Sequence, residues 1–266
     1  MTSATWLRRR DNLVERQAER WRPPHLAPPA TAVQRLGFAV RRFLDLQFGS
    51  IWLDLSSELG RSYGVVLDVG CGAQPFRSLV GASNRYLGID IEQADEQFGY
   101  RISDAIYYSG DRWPVDDASV DLILCTETLE HVREPAPFLA EAARVARPGA
   151  QLLLTVPFAA RWHFIPHDYW RYTPSSLALL LRAQGFGDVA VYARGNAVTV
   201  ACYKAMALIL PLLVPTAGGG AAIAQRAAGI VLSPVLLVLG AVGNASLRGR
   251  GGADCLGYTV TATRVA

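Results

Sequence analysis

Two stretches of this chain carry groups that could do chemistry. The first is "LDVGCGAQP", residues 67–75, where Asp68, Gly70, Cys71 and Gly72 follow a short branched apolar run. Glycines in such a place let the backbone pass close beneath a ligand. The second is "WHFIPHDYWRYTP", residues 162–174, where His163, His167, Asp168, Tyr169, Trp170, Arg171 and Tyr172 stand together. Either histidine titrates near neutrality and could take a proton from a hydroxyl. Tyr169, Trp170 and Tyr172 offer flat faces to a ring, and Arg171 offers a fork to a carboxylate or phosphate. The plainer alternative is a structural lid, with His167 and Asp168 bonded to backbone and the aromatics packed on the fold. His163 and His167 have no third clear ligand beside them in the sequence, so no metal site is expected.

The glycine loop can be read further. A dinucleotide loop needs a third glycine three residues after Gly72, where Pro75 stands instead. The Asp68 carboxylate suits a cationic ligand or an ordered water better than a pyrophosphate. Asp90 lies twenty residues past Gly70, at the end of "YLGIDIE", and can accept from both hydroxyls of a ribose. A ribose, no pyrophosphate and a positive charge point to S-adenosylmethionine.

These groups need elements to hold them. "GVVLDVGCG", "YLGIDIE", "VDLILCTE", "QLLLTVPF" and "GDVAVYAR" read as buried parallel strands. "GYTVTATRV" alternates and reads as an edge strand. Residues 31–60 carry apolar positions at helical spacing up to Gly60. "EPAPFLAEAARVARPG" reads as a helix ending at Pro148-Gly149, and a further helix has Thr173 as N-cap, Pro174 in its first turn and Gly185 as its stop. Strands alternating with helices give a doubly wound, mostly parallel α/β sheet. Ligands then sit beyond the carboxyl ends of the strands, where both chemical stretches fall.

The blocks "VVLDVGCG", "YLGIDIE", "GDRWPVDDASVDLILCTETLEHV", "RVARPGAQLLLTVPF" and "HDYWRYTPSSLALLLRAQGF" resemble, in order, those of class I S-adenosylmethionine-dependent methyltransferases. The branch they most resemble is often found beside glycan and cell-envelope biosynthesis genes. The resemblance implies a seven-stranded Rossmann-like sheet with helices on both faces. It implies that Asp68, Gly70, Cys71 and Gly72 border the methionine part of the cofactor and that Asp90 and Ile91 take the ribose. Gly110 and Asp111, after the third strand of that family, would close over adenine. Cys125, Thr126 and Glu127 would end the fourth strand under the reactive methyl. The base would be His167 first and His131 second, His131 having the alternative of tying a strand to its helix. The acceptor would be a hydroxyl on a saccharide or glycolipid, held by His163, Tyr169, Trp170, Arg171 and Tyr172. A small-molecule O-methyltransferase of secondary metabolism and a non-catalytic cofactor-binding subunit of an envelope-synthesis complex are the rival readings.

Composition bounds the rest. The 266 residues carry a net charge of +3, which gives no argument for a nucleic-acid partner. None of the four cysteines forms a CxxC pair, which fits a reducing, cytoplasmic setting. The arginine-rich start has no apolar h-region, so no signal peptide is expected. Residues 1–32 read as a basic, proline-rich arm, solvated or wrapped, and residues 33–200 as the methyltransferase domain. Residues 201–250 read as an apolar helical insertion and 251–266 as the last strand of the sheet. Lys204, Arg226 and Arg248 bracket two runs of 21 uncharged residues. Pro211, Pro215 and Pro234 interrupt them, leaving three readings of 205–247: buried or dimer-forming helices, an interfacial patch at the inner face of a membrane, or a spanning hairpin.

Overall fold

The computed structural model describes Leu13, Glu19, residues 25–213 and residues 220–265. Most of the basic arm therefore lies outside the described residues, as do Pro215 and its neighbours between the two apolar runs.

The sheet has seven strands: β1 (Val65–Val69), β2 (Arg85–Ile91), β3 (Ala105–Tyr108), β4 (Val120–Thr126), β5 (Ala146–Pro157), β6 (Phe186–Arg194) and β7 (Gly257–Arg264). Their order is β3-β2-β1-β4-β5-β7-β6, parallel except for β7, which runs antiparallel to both neighbours. The order reverses between β1 and β4, so the crevice for a ligand lies beyond the carboxyl ends of those two strands.

Period-two alternation splits the central strands between two cores. Val66, Leu122, Leu124 and Leu153 face α1 (Ala32–Leu44) and α2 (Leu46–Leu59) with Phe48, Ile51, Leu55 and Phe76. Leu67, Val69, Ile123, Cys125, Leu152 and Leu154 face the other way, onto α4 (Pro135–Val145) and α5 (Pro174–Ala183). A five-residue helix, α3 (Ala94–Phe98), follows β2. Thr173 caps α5 in a reciprocal capping box with Ser176, and Gly185 takes φ +79° just past its end.

Four boundaries differ from the sequence reading. The helical stretch at 31–60 is two helices, because Asp45 leaves helical geometry and its carboxylate accepts from the Phe48 N–H to cap α2. The helix expected to reach Pro148-Gly149 ends at Val145. Pairing in β5 starts at Ala146 and then shifts register, and Gly149 at φ +83° sits in the irregularity. The strand β3 is only four residues long, too short for its apolar run to be read as a strand in the sequence. Finally, β7 is not an edge strand: it is inserted between β5 and β6. Its alternation has an internal cause. Tyr258, Val260 and Ala262 enter the core, while buried Thr259 donates to Asp54 Oδ2 of α2 at 2.6 Å.

The apolar runs form α6 (Ala197–Leu213) and α7 (Gly220–Leu247), placed between β6 and β7 in the chain. Cys202, Met206, Ile209 and Leu236 pack with Leu46 of α2 and Leu256 into a third cluster. The rest of α7 is open. Within its span Ala222–Leu247 an 18-residue stretch has a mean hydropathy of 2.0, and only 17% of that stretch is buried.

Candidate cofactor and acceptor site

The turn after β1 builds the floor of the site. Gly70 at φ +67° is pressed against Thr128, whose side chain would collide with any Cβ there. Gly72 at φ +54° turns the chain so that its N–H donates to Asp90 Oδ2 at 3.0 Å. Asp90 closes β2 and accepts also from the Ile91 N–H at 2.8 Å and the Tyr100 hydroxyl at 3.0 Å. Burial pushes its pKa up, and those three donors pull against that. Tyr100 is therefore an exchangeable hydroxyl on the oxygen that a ribose hydroxyl would address.

Above this floor lies a cavity of about 630 Å³. Of the expected cofactor residues, Gly70, Cys71, Gly72, Asp90, Ile91, Gly110, Asp111, Thr126 and Glu127 line it. Two do not. Cys125 points into the core with 1% exposure. Asp68 lies outside the lining, its Oδ2 accepting from the Tyr86 hydroxyl at 2.5 Å and its Oδ1 without a partner among the described residues. Burial lifts its pKa to about 7, although the Tyr86 bond opposes this. The floor thus fits an adenosyl ligand on two counts: the glycine turn and the ribose-ready Asp90.

The far wall comes from "LEHV" and the loop after β5. His131 and His163 line the cavity; His167 does not. His167 instead turns its carbonyl to His131 Nδ1 at 2.7 Å. A carbonyl only accepts, so Nδ1 carries the proton and Nε2 keeps a lone pair. Burial, reinforced by His163, lowers the His131 pKa to about 4, so this imidazole is neutral at physiological pH. Of the two candidate bases of the sequence reading, His131 lines the cavity and His167 does not. A backbone contact, invisible in sequence, decides which ring faces the cavity.

The acceptor residues are corrected in the same way. Tyr172 is buried and donates to the Leu129 carbonyl at 3.2 Å. Trp170 Nε1 donates to the Val132 carbonyl at 2.9 Å, and the Tyr169 and Trp170 N–H groups both go to the Glu130 carbonyl. Arg171 grips Asp168 with two bonds of 2.6 and 2.7 Å. Burial alone would raise Asp168, but this fork and His163 outweigh it and hold the carboxyl well below its ordinary range. Tyr169, Trp170 and Arg171 line a separate cleft of about 300 Å³ with Trp162 and Asp168. Of the acceptor set, only His163 reaches the main cavity, with Nδ1 held 2.9 Å from Asp168 Oδ2.

Other cavity residues escaped the sequence reading. Phe98, Tyr100, Tyr108 and Phe164 supply aromatic wall, and Arg41, Asp45 and Phe48 reach in from α1, the α1–α2 junction and α2. His25 and Leu26 line it too, with His25 edge-on to Tyr100 at 5.1 Å. Glu19 accepts from the Phe164 N–H at 3.1 Å. These parts of the N-terminal arm wrap over the site. Periodicity cannot find such residues, since they belong to no repeating face. Glu127, at φ 48°, is paired with the buried guanidinium of Arg194 at 2.8 Å.

Comparison with known proteins agrees with this geometry. Residues 67–154 match the methyltransferase domain family. A probable S-adenosylmethionine-dependent methyltransferase of Mycolicibacterium smegmatis is 31% identical over 96 residues, covering 35% of this chain and 37% of that protein. The ubiquinone biosynthesis O-methyltransferase of Hahella chejuensis is 32% identical over 99 residues, 34% of this chain and 42% of that protein. The chain therefore spans less than half the length of these curated relatives. A methyltransferase structure from Archaeoglobus fulgidus shares the fold at 16% identity, with a TM-score of 0.51 over 86% of this chain and 99% of that one.

Proposed function

We propose that the chain transfers a methyl group from S-adenosylmethionine to an acceptor hydroxyl. The premises are that residues 67–154 are a methyltransferase domain, that its cofactor is S-adenosylmethionine, and that the seven-stranded sheet has the Rossmann-like methyltransferase fold. The observation that carries the reading is the junction of two surfaces in one cavity. The Gly70–Gly72 turn and Asp90 form one side, and the imidazoles of His131 and His163 form the other.

When bound, the cofactor supplies an electrophilic methyl carbon. The chain's own residues do the rest. Asp90 would hold the ribose hydroxyls, and the main chain at Gly70–Gly72 would support the amino-acid portion. Thr126 and Glu127 bring the end of β4 to the junction. The aromatic wall and the arm residues His25 and Leu26 exclude water. Holding an acceptor oxygen in line while keeping water out is the main source of rate in such a reaction. The acceptor's proton leaves toward the His131–His163 side.

The acceptor we favour is lipid-linked, a glycolipid or another hydroxyl-bearing lipid. The support is the uncovered side of α7. Ile223, Ile230 and Leu237 recur every seven residues and are all more than half exposed, with Val231 and Val238 beside them. Between Ala197 and Asp254 the chain carries no acidic residue, while Lys204, Arg226, Arg248 and Arg250 are basic. An apolar stripe with only positive charge around it suits the surface of an anionic bilayer.

The test of the central reading is binding of S-adenosylhomocysteine by calorimetry and thermal shift. It should raise the melting temperature. Asp90→Ala should weaken binding by at least about tenfold, since a charge-assisted hydrogen bond contributes about 1.5–3 kcal/mol. No shift at millimolar ligand would overturn the cofactor assignment. Labelled cofactor incubated with a membrane lipid extract then tests the acceptor class.

A further inference from the structure

We infer that Glu130, His131 and His163 form a binding site for a divalent transition-metal cation in the wall of the cavity.

Glu130 is the starting point. Its side chain has no exposed surface, and neither carboxylate oxygen has a hydrogen-bond partner among the described residues. The acids around it are already neutralised: Glu127 by Arg194, and Asp168 by Arg171. The nearest basic group is His131, with Nε2 3.7 Å from Glu130 Oε1. A buried, unpaired carboxylate is costly unless a cation faces it or it takes up a proton.

Two further donors converge on it. One atom each from Glu130, His131 and His163 lie within 4.8 Å of one another. Tetrahedral ligands on zinc sit about 3.4 Å apart, so closing on an ion needs a contraction of at most about 1.4 Å.

The second observation is how the rings are held. His131 Nδ1 is tied to the His167 carbonyl at 2.7 Å, and His163 Nδ1 to the Asp168 carboxylate at 2.9 Å. Each ring thus commits one nitrogen to an oxygen and leaves Nε2 for an ion. Metal-binding histidines are oriented in this way, by a carbonyl or carboxylate on the opposite nitrogen. Asp168 is itself immobilised by Arg171, which also donates to the Arg161 carbonyl at 2.9 Å. The loop that the sequence singled out as a row of reactive side chains is then an outer frame. His167 and Asp168 aim the two rings, and Arg171 fixes Asp168.

Donor chemistry selects the ion. Two imidazole nitrogens and one carboxylate suit zinc, iron(II), cobalt or manganese, not the all-oxygen coordination of calcium or magnesium. Three protein ligands leave at least one position open. His131 and His163 both line the cavity, so that position faces the acceptor side of the proposed reaction; with the ion in place both Nε2 atoms are engaged, and the acceptor's proton would leave to water on that side instead of to either ring. The sequence showed two histidines four residues apart with no third ligand; the fold replaces one of them, His167, with a pair from the turn after β4.

The experiment uses tag-free full-length protein stripped with chelator and titrated with cobalt(II), followed by visible absorption and calorimetry. One cobalt ion per chain should bind with a tetrahedral or five-coordinate spectrum, and zinc should displace it. His163→Gln and Glu130→Gln should each weaken cobalt binding by at least about 100-fold, and Asp168→Asn by about 10–100-fold. S-adenosylhomocysteine affinity, measured alongside, should stay within about twofold in His163→Gln, which separates this site from the cofactor reading. Failure of the wild-type protein to bind cobalt or zinc at millimolar concentration would overturn the inference. So would binding that survives His163→Gln in a folded variant. If Glu130 is simply a protonated buried acid, the wild type binds no metal and Glu130→Gln is at least as stable as the parent.

Discussion

Asp68 and His131 are two buried ionisable groups whose pKa values move in opposite senses from what water would give them. Asp68 is raised from 3.8 to about 7, first by burial. His131 is lowered from 6.5 to about 4, first by burial and then by His163. Their effects on stability have opposite signs. Above pH 4, the unfolded chain ionises Asp68 while the folded chain keeps it protonated, so stability falls as pH rises toward 7. His131 is neutral in the fold, so stability falls as pH drops from 6.5 toward 4, when the unfolded chain alone takes up the proton. In the window from about 4 to 6.5 the two slopes oppose each other. Asp68→Asn should remove one of them. Its stability should fall more steeply on acidification than that of the parent, by up to about 1.4 kcal/mol per pH unit. Urea melts of metal-free, cofactor-free protein at pH 6.5, 5.5 and 4.5 would read this; parallel slopes would refute it. The meeting of Gly70, Gly72 and Asp90 at one sheet edge was legible in sequence, because strand and turn spacing put them there. Glu130 and Tyr100 were not, since their roles depend on neighbours far away in the chain.

Among the elements, α7 departs furthest from the ordinary pattern of a helix packed on a sheet. A surface helix normally turns its apolar side inward. Here Leu232, Leu236 and Leu239 pack on α6 and α2, while the stripe from Ile223 to Val238 faces out. The adjoining α1 also exposes Val33, Leu36 and Val40, and it carries Arg35, Arg41 and Arg42 without an acid. Replacing Val231 and Val238 together by Glu should cut co-sedimentation with vesicles containing anionic lipid by at least about tenfold. Thermal stability should barely change, because exposed substitutions usually stay within about 0.5 kcal/mol. Equal binding of parent and variant would remove the membrane reading, and dissociation of an oligomer in the variant would redirect it to a dimer face. The sequence showed that 205–247 was apolar and helical. It could not show which face was covered, because α6 and α7 are apolar nearly all round and periodicity has no contrast to work with.

At the scale of the whole molecule, the sheet is closed late in the chain. Strand β7 supplies hydrogen bonds to both β5 and β6, and the sequence alone could not place it there. Alternation reports that one side of a strand is polar, not whether water or Asp54 satisfies that side. A chain shortened to end before Gly257 should lose cooperative unfolding, since β5 and β6 would each have an unpaired edge and Tyr258, Val260 and Ala262 would leave the core. Broad melts by circular dichroism and loss of S-adenosylhomocysteine binding would show it; a sharp, ligand-responsive transition would contradict it. The same arrangement orders events on the ribosome. The greasy helices emerge before the strand that completes the domain, so for a time during translation they stand outside with no finished body to rest on. A bilayer or a chaperone could meet them then, and where the protein ends up would be settled while it is still being made.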